Sequence, residues 1–436
     1  MNETYDRPFD KLFAILKESA QWSSVLHRQF LTMRQRSLQE LQALIEMQIH
    51  GADGLKNAPV PQPVFNKHQL DAFGSGLISQ CFGPDFARYD QRRIPRIPNG
   101  DLSMMSRIMA ITGRPRVFDS PASIVVEYDV PPDAWYFRDN AYPQIPASLF
   151  MEIALQPCGF LSAYLDSFAL VPYDPFYFRN LDGNARMLET MDLRGKTITT
   201  RAKMLTSVVS GGTVIQKFAF ELSCEGHTLY SGESSFGYFS AESMANQLGL
   251  DGGRTVLPAI HESASLSSAV RLDTTPLQTQ LYGRPYYHLA QGQLNFLDQV
   301  YYDPTGGRFN SGTIYARRPI NPNDWFYPCH FYQDPVMPGS LGVEAMIEAM
   351  QAFALAEKVG DRLKSPHFGV VPGAPPVTWR YRGQITPINQ MMELEVDLKP
   401  VERQSERIVL TGDASLWVDG LRIYEVHQIC LGIFES

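Results

Sequence analysis

The chain has 436 residues, 44% of them hydrophobic and 19% charged, with a formal net charge of -8. That is enough sequence for two or three domains with cores of their own. The acidic balance excludes the basic face of a nucleic-acid binder, and no apolar run reaches membrane-spanning length. Five cysteines (Cys81, Cys158, Cys224, Cys329 and Cys430) form no CxxC pair, which fits a reducing compartment and offers no metal site. The N-terminus lacks a signal-peptide pattern, so a cytoplasmic location is expected.

Residues 1–64 read as a helical preface. Phe9, Leu12, Phe13, Leu16, Trp22, Leu26 and Phe30 recur at helical steps, and Pro59, Pro61 and Pro63 end the segment. It is too short for a core of its own, so deleting residues 1–55 should leave the rest folded and active. A first unit spans 65–240. It opens with a short helix capped near Asn66, then a Pro-rich loop from Ile94 to Asn99. Leu102 to Ile111 leads into a strand, and Ser123 to Val130 is a strand by its β-branched content. Pro146 to Leu165 is apolar nearly all round, the mark of a helix buried on every side. Three alternating strands follow, with turns at Gly211-Gly212 and Glu225-Gly226, as in an antiparallel sheet with one wet face. Residues 241–287, rich in Ser, Gly and Thr, read as a linker. A second unit spans 288–436 and repeats the order.

The repeat has a measurable offset. Leu102 and Leu294, Pro146 and Pro338, Ser148 and Ser340, and Glu152 and Glu344 each stand 192 residues apart, whereas Trp135 and Trp325 stand 190 apart. Arg194-Gly195 recurs as Arg382-Gly383. A central buried helix with a long antiparallel sheet therefore occurs twice, and two such sheets pair edge to edge to hide edges that would template aggregation.

Chemistry concentrates in Asp324 to Met346, which reads strand, proline-punctuated loop, then apolar helix. His330 stands in the loop and Glu344 one or two turns into the helix. Pro338, Gly339 and Ser340 mark the helix start, with free N–H groups and a possible cap. Such a start aims donors at a carbonyl oxygen or an anion. One imidazole, one carboxyl and one aimed N–H suffice for acid–base chemistry beside a carbonyl. Cys329, beside His330, reads as a small buried residue rather than a nucleophile.

The first copy differs at these positions. Asn140 stands where the second copy has His330, and Asn cannot act as a base near neutral pH. Ala147 replaces Gly339. Glu152 is followed four residues later by Gln156, whereas Glu344 is followed by Glu348. Residues four apart share a helix face, so Glu344, Glu348 and Gln351 form a polar stripe, expected as a wet stripe or the unused half of the pair.

The run from Trp325 through His330, Asp334-Pro335-Val336-Met337-Pro338-Gly339 and Glu344 closely resembles the motif of the β-hydroxyacyl-acyl-carrier-protein dehydratases and dehydratase/isomerases. The repeat extends that likeness over most of the chain, which looks most like a tandem dehydratase didomain of bacterial polyunsaturated-fatty-acid synthases. The resemblance implies an α+β tandem (double) hot-dog fold. It implies one composite site: His330 from the second copy as base, and Glu152, kept protonated by burial and held by Gln156, as acid, with Glu344 the alternative acid. It also implies Gly339 N–H on the thioester oxygen, an acyl tunnel lined by Phe, Met and Leu of both helices, and no cofactor or metal. Its implied partners are acyl carrier protein domains with a phosphopantetheine-linked substrate and neighbouring synthase domains. Both acidic positions are Glu where the isomerising subtype has Asp, so the resemblance implies dehydration and leaves double-bond isomerisation open. A hot-dog thioesterase or a non-catalytic docking module are the competing readings.

Overall fold

The computed structural model describes residues 62–435 except 211–212, 262–267, 276 and 278–285, so the expected helical preface lies almost wholly outside the described residues. The first half contains helices α1 (Lys67–Ser75), α2 (Ile78–Phe82), α3 (Trp135–Asp139) and the central α4 (Ala147–Tyr164). Its strands are β1 (Arg107–Ile111), β2 (Ala122–Asp129), β3 (Phe176–Met187), β4 (Thr197–Ser210), β5 (Thr213–Cys224) and β6 (His227–Ser240). A short helix, α5 (Ala241–Ala245), leads on to β7 (Val270–Leu272), β8 (Gln299–Asp303), β9 (Thr313–Pro319) and the second central helix, α6 (Gly339–Ala356). The chain closes with β10 (Pro366–Gly369), β11 (Val377–Tyr381), β12 (Met391–Leu398), β13 (Glu402–Arg403), β14 (Arg407–Val418) and β15 (Leu421–Glu435).

Local chemistry explains these elements. Asn66 caps α1 in a capping box: its side chain accepts from the Gln69 N–H, and the Gln69 side chain accepts from the Asn66 N–H. Along β2 every second residue, Ala122, Ile124, Val126 and Tyr128, is buried. Both central helices are apolar on nearly all sides because sheet wraps them. Leu149, Ile153, Phe160 and Leu161 are buried on α4, as are Leu341, Met346, Met350 and Phe353 on α6. Truncating one such leucine costs about 2–5 kcal/mol.

Among the described residues the strands form one 15-stranded sheet in the order β1-β2-β4-β5-β6-β3-β11-β15-β14-β12-β9-β8-β7, with β10 on β15 and β13 on β14. Apart from terminal β7 the order is a palindrome about the β3–β11 pair, as the 192-residue repeat demands. The fold is a double hot dog. At its seam Trp379 on β11 lies opposite Gly183 on β3. A Cβ at position 183 would run into the Trp379 ring, so the close approach requires glycine. The Trp379 indole N–H donates to Asn180 Oδ1 at 2.7 Å.

Three local expectations fail. The stretch 241–287 is no patternless linker, since β7 lies within it and pairs with β8. Strand β3 falls where no strand is read from sequence. Asp324 to Met337 contains no strand, because its side chains bury in turns: Phe326, Tyr327 and Cys329 are all buried. No described helix is long and apolar enough to cross a membrane.

Candidate active site

His330 sits in a loop tied down at both ends. The Val336 N–H donates to the His330 carbonyl at 2.8 Å. Asp334 is gripped by both terminal nitrogens of Arg179, on strand β3 of the other half, each at 2.8 Å. His330 Nδ1 lies 2.9 Å from the Val336 carbonyl oxygen. A carbonyl only accepts, so Nδ1 carries the proton and Nε2 keeps its lone pair. Burial lowers the His330 pKa, so the ring is neutral at neutral pH.

Glu152 lies on α4, in the first half, and is buried. Ser340 Oγ, at the start of α6 in the second half, donates to Glu152 Oε1 at 2.6 Å. Gln156 Nε2 donates to Glu152 Oε2 at 3.2 Å and to the Leu102 carbonyl at 2.8 Å, while its oxygen accepts from the Met104 N–H. Gln156 is thus fixed by main chain and in turn fixes the carboxyl. The cap expected at Ser340 is absent: α6 has no side-chain cap, and the hydroxyl serves Glu152 instead. Sequence reasoning missed that role, although serine recurs at the 192-residue offset.

His330 and Glu152 line one cavity of 480 Å³, together with Gln156 and Gly339. Its apolar wall comes from Met151 and Leu155 on α4 and from Phe178, Phe236 and Phe239 on the sheet. Helix α6 contributes only Gly339 and Ser340, so the expectation of a tunnel lined by both helices is corrected. The Gly339 N–H is the first of its helix and has no acceptor within it. Cys329 is buried and burial raises its thiol pKa, which keeps it an inert thiol.

The equivalent place in the other half is built differently. Asn140 Nδ2 donates to the Gln144 carbonyl at 2.9 Å, repeating the bond of His330 Nδ1, but nothing replaces Nε2. Ser148 Oγ donates to Glu344 Oε2 at 2.6 Å, the mirror of the Ser340–Glu152 bond. Buried Tyr142 places its hydroxyl beside the Asn140 side chain and 3.4 Å from the Ala147 N–H, the equivalent of the Gly339 N–H. Glu344, Glu348 and Gln351 are all buried, so the stripe is not wet. Glu348 accepts from the Phe296 N–H at 2.7 Å, standing in for Gln156. Burial pushes Glu344 up to about 7 and Glu348 well above its ordinary range.

Residues 289–427 match the family described as the FabA-like domain. A polyunsaturated fatty acid synthase protein of Thraustochytrium sp. is 34% identical over 376 residues, or 82% of this chain. The chain spans 25% of that relative's length. The dehydratase domain from the CurJ module of curacin polyketide synthase is 12% identical, with a TM-score of 0.39 over 76% of this chain and 96% of that one. A putative thioesterase from Novosphingobium aromaticivorans is 11% identical, with a TM-score of 0.37 over 75% of this chain and 100% of that one. At those scores neither structure bears on the activity.

Proposed function

We propose, from the match of residues 289–427 to the FabA-like domain, that the chain dehydrates β-hydroxyacyl thioesters, carried on phosphopantetheine by acyl carrier protein domains of a fatty-acid synthase. The observation that carries this reading is one cavity holding a neutral imidazole from one hot dog and a carboxyl from the other. His330 Nε2 removes the α-proton. The Cα–H electrons become the Cα=Cβ bond as the Cβ–O bond breaks. The hydroxyl leaves as water with a proton from Glu152, whose oxygens each keep a further position beside the bonds from Ser340 and Gln156. The Gly339 N–H stabilises the thioester oxygen as charge grows on it. The apolar wall of α4 and the sheet takes the acyl chain. The catalytic units are 65–240 and, with β7 added, 270–436.

The test is incubation of the full chain with a β-hydroxyacyl thioester. Enoyl thioester absorbance supports dehydration, release of free thiol makes the protein a thioesterase, and neither makes it a scaffold. Because the neutral form of His330 is the base, kcat/KM should fall on the acid side, with an apparent pKa below 6.5. An acid limb centred above that value would contradict the assignment.

A further inference from the structure

Tyr381 ends strand β11 at the seam and also lines the cavity shared by His330 and Glu152. It is only 6% exposed, yet its hydroxyl has no hydrogen-bond partner among the described residues. A buried hydroxyl left unpaired costs about 1–3 kcal/mol, which a ligand oxygen would offset. The ring lies against the start of α6. A Cβ added at Gly339 would stand 2.6 Å from Tyr381 Cε2 and 2.9 Å from Cζ. Only glycine there lets the phenol come beside the first N–H of the helix. On the other side Tyr424 packs against the ring, with centroids 4.4 Å apart.

The repeat supplies the control. Tyr381 pairs with Tyr424 as Met187 pairs with Tyr230, and the next N–H groups, of Arg382 and Leu188, donate to the Ile423 and Leu229 carbonyls, so Met187 corresponds to Tyr381, and Ala147 corresponds to Gly339. The half with the histidine has the glycine and the phenol. The half without it has a Cβ and an apolar side chain, and its helix-start N–H faces the Tyr142 hydroxyl.

We infer that the Tyr381 hydroxyl is a second donor to the thioester oxygen, acting beside the Gly339 N–H as negative charge develops during removal of the α-proton. It is a catalytic residue of the proposed dehydration and rests on that reading. A phenol suits this task because it donates while staying neutral, and burial raises its pKa well above the ordinary value.

The experiment is Tyr381→Phe in the full chain, read by kcat and KM on a β-hydroxyacyl-pantetheine thioester, by Tm, and by the Kd of the corresponding unreactive amide. The expected result is a fall in kcat of roughly 10²-fold with KM nearly constant, weaker amide binding, and a Tm unchanged or raised because an unpaired hydroxyl has gone. Unchanged kcat together with unchanged amide affinity overturns the inference. So does a loss of rate that tracks a lowered Tm and returns on cooling. Should the wild-type chain dehydrate nothing, the reading of function fails, and amide affinity alone still decides the role of Tyr381.

Discussion

The two half-sites of this molecule begin from the same scaffold and end in opposite states. Both place a side chain against a main-chain carbonyl, His330 on Val336 and Asn140 on Gln144. Both send a serine hydroxyl across to the carboxyl of the opposite helix at 2.6 Å. One then opens onto a 480 Å³ cavity with a glycine at the helix start, whereas the other places the Tyr142 hydroxyl at that position and leaves Glu344 Oε1 without a hydrogen-bond partner among the described residues. The difference teaches that losing a catalytic half-site takes more than losing its base. The crossed serine–carboxylate frame persists in both, which identifies it as a structural part of the seam, and the proposed chemistry is layered on one side only.

The comparison breaks most sharply at the base. His330→Ala should reduce dehydration by the upper end of general-base effects, roughly 10⁴-fold, since no other imidazole among the described residues lines the cavity. Residual activity near wild type in a folded variant would mean the other half-site turns over after all.

The carboxyls are the next test. Glu152→Gln keeps the bonds from Ser340 and the shape, but an amide gives no proton to a leaving hydroxide, so the expected loss is ~10²–10⁴-fold. Glu344→Gln should barely change kcat, because Glu344 faces Asn140 and Tyr142 rather than an imidazole. Reversal of that ranking, with both variants folded, would assign the acid to Glu344 within the same hot dog as His330 and leave the dehydratase reading standing.

Much of this asymmetry is legible in the sequence, because it lies in residue identities at a fixed offset. His330 against Asn140, Gly339 against Ala147 and Gln156 against Glu348 need only alignment of the chain with itself. The two central helices are legible for a different reason: a helix apolar on every side has only one place to go. Strand β3 is not, since its Asn180, Asp182, Gly183 and Asn184 look like turn residues. They are strand residues because Trp379 across the seam needs a bare backbone at Gly183, a constraint set by a residue far away in the sequence. The strand expected before His330 fails for a related reason. An aromatic run has high strand propensity, but here its rings pack between the halves, with Trp325 against Trp135 at 4.9 Å. The Ser340–Glu152 bond and the Arg179 grip on Asp334 also cross the seam, and no local pattern announces them.

A smaller effect sharpens the comparison through stability. Burial holds the Glu344 carboxyl at about 7 in the folded state against an ordinary value of 4.5. A carboxyl raised on folding favours the folded state below its unfolded pKa, and that contribution is lost as pH rises through the folded one. Wild type should therefore lose stability between pH 4.5 and about 7, and Glu344→Gln should remove about 3 kcal/mol of that loss. Glu348 acts in the same direction and keeps a residual slope. Denaturant unfolding on either side of that window, near pH ~4 and pH ~8, measures it; a wild type–variant difference that is the same at both pH values would show that Glu344 does not carry the pH dependence.

The smallest expected effect is the most demanding of the comparison. Asn140→His restores an imidazole to the silent half-site at the position where Asn140 already binds the Gln144 carbonyl. If the base were all that this side lacked, the chain would gain a second centre and kcat per chain would approach twice its value. The other differences argue otherwise. The Ala147 N–H lies 3.4 Å from the Tyr142 hydroxyl, Tyr142 is buried, and Met187 offers no hydroxyl in place of Tyr381. Asn140→His in a His330→Ala background should therefore stay inactive, and only with Tyr142→Ala added, so that the helix-start N–H is released, should measurable turnover return. Activity in the Asn140→His/His330→Ala chain without that second change would show that the filled half-site differs from the open one by its base alone.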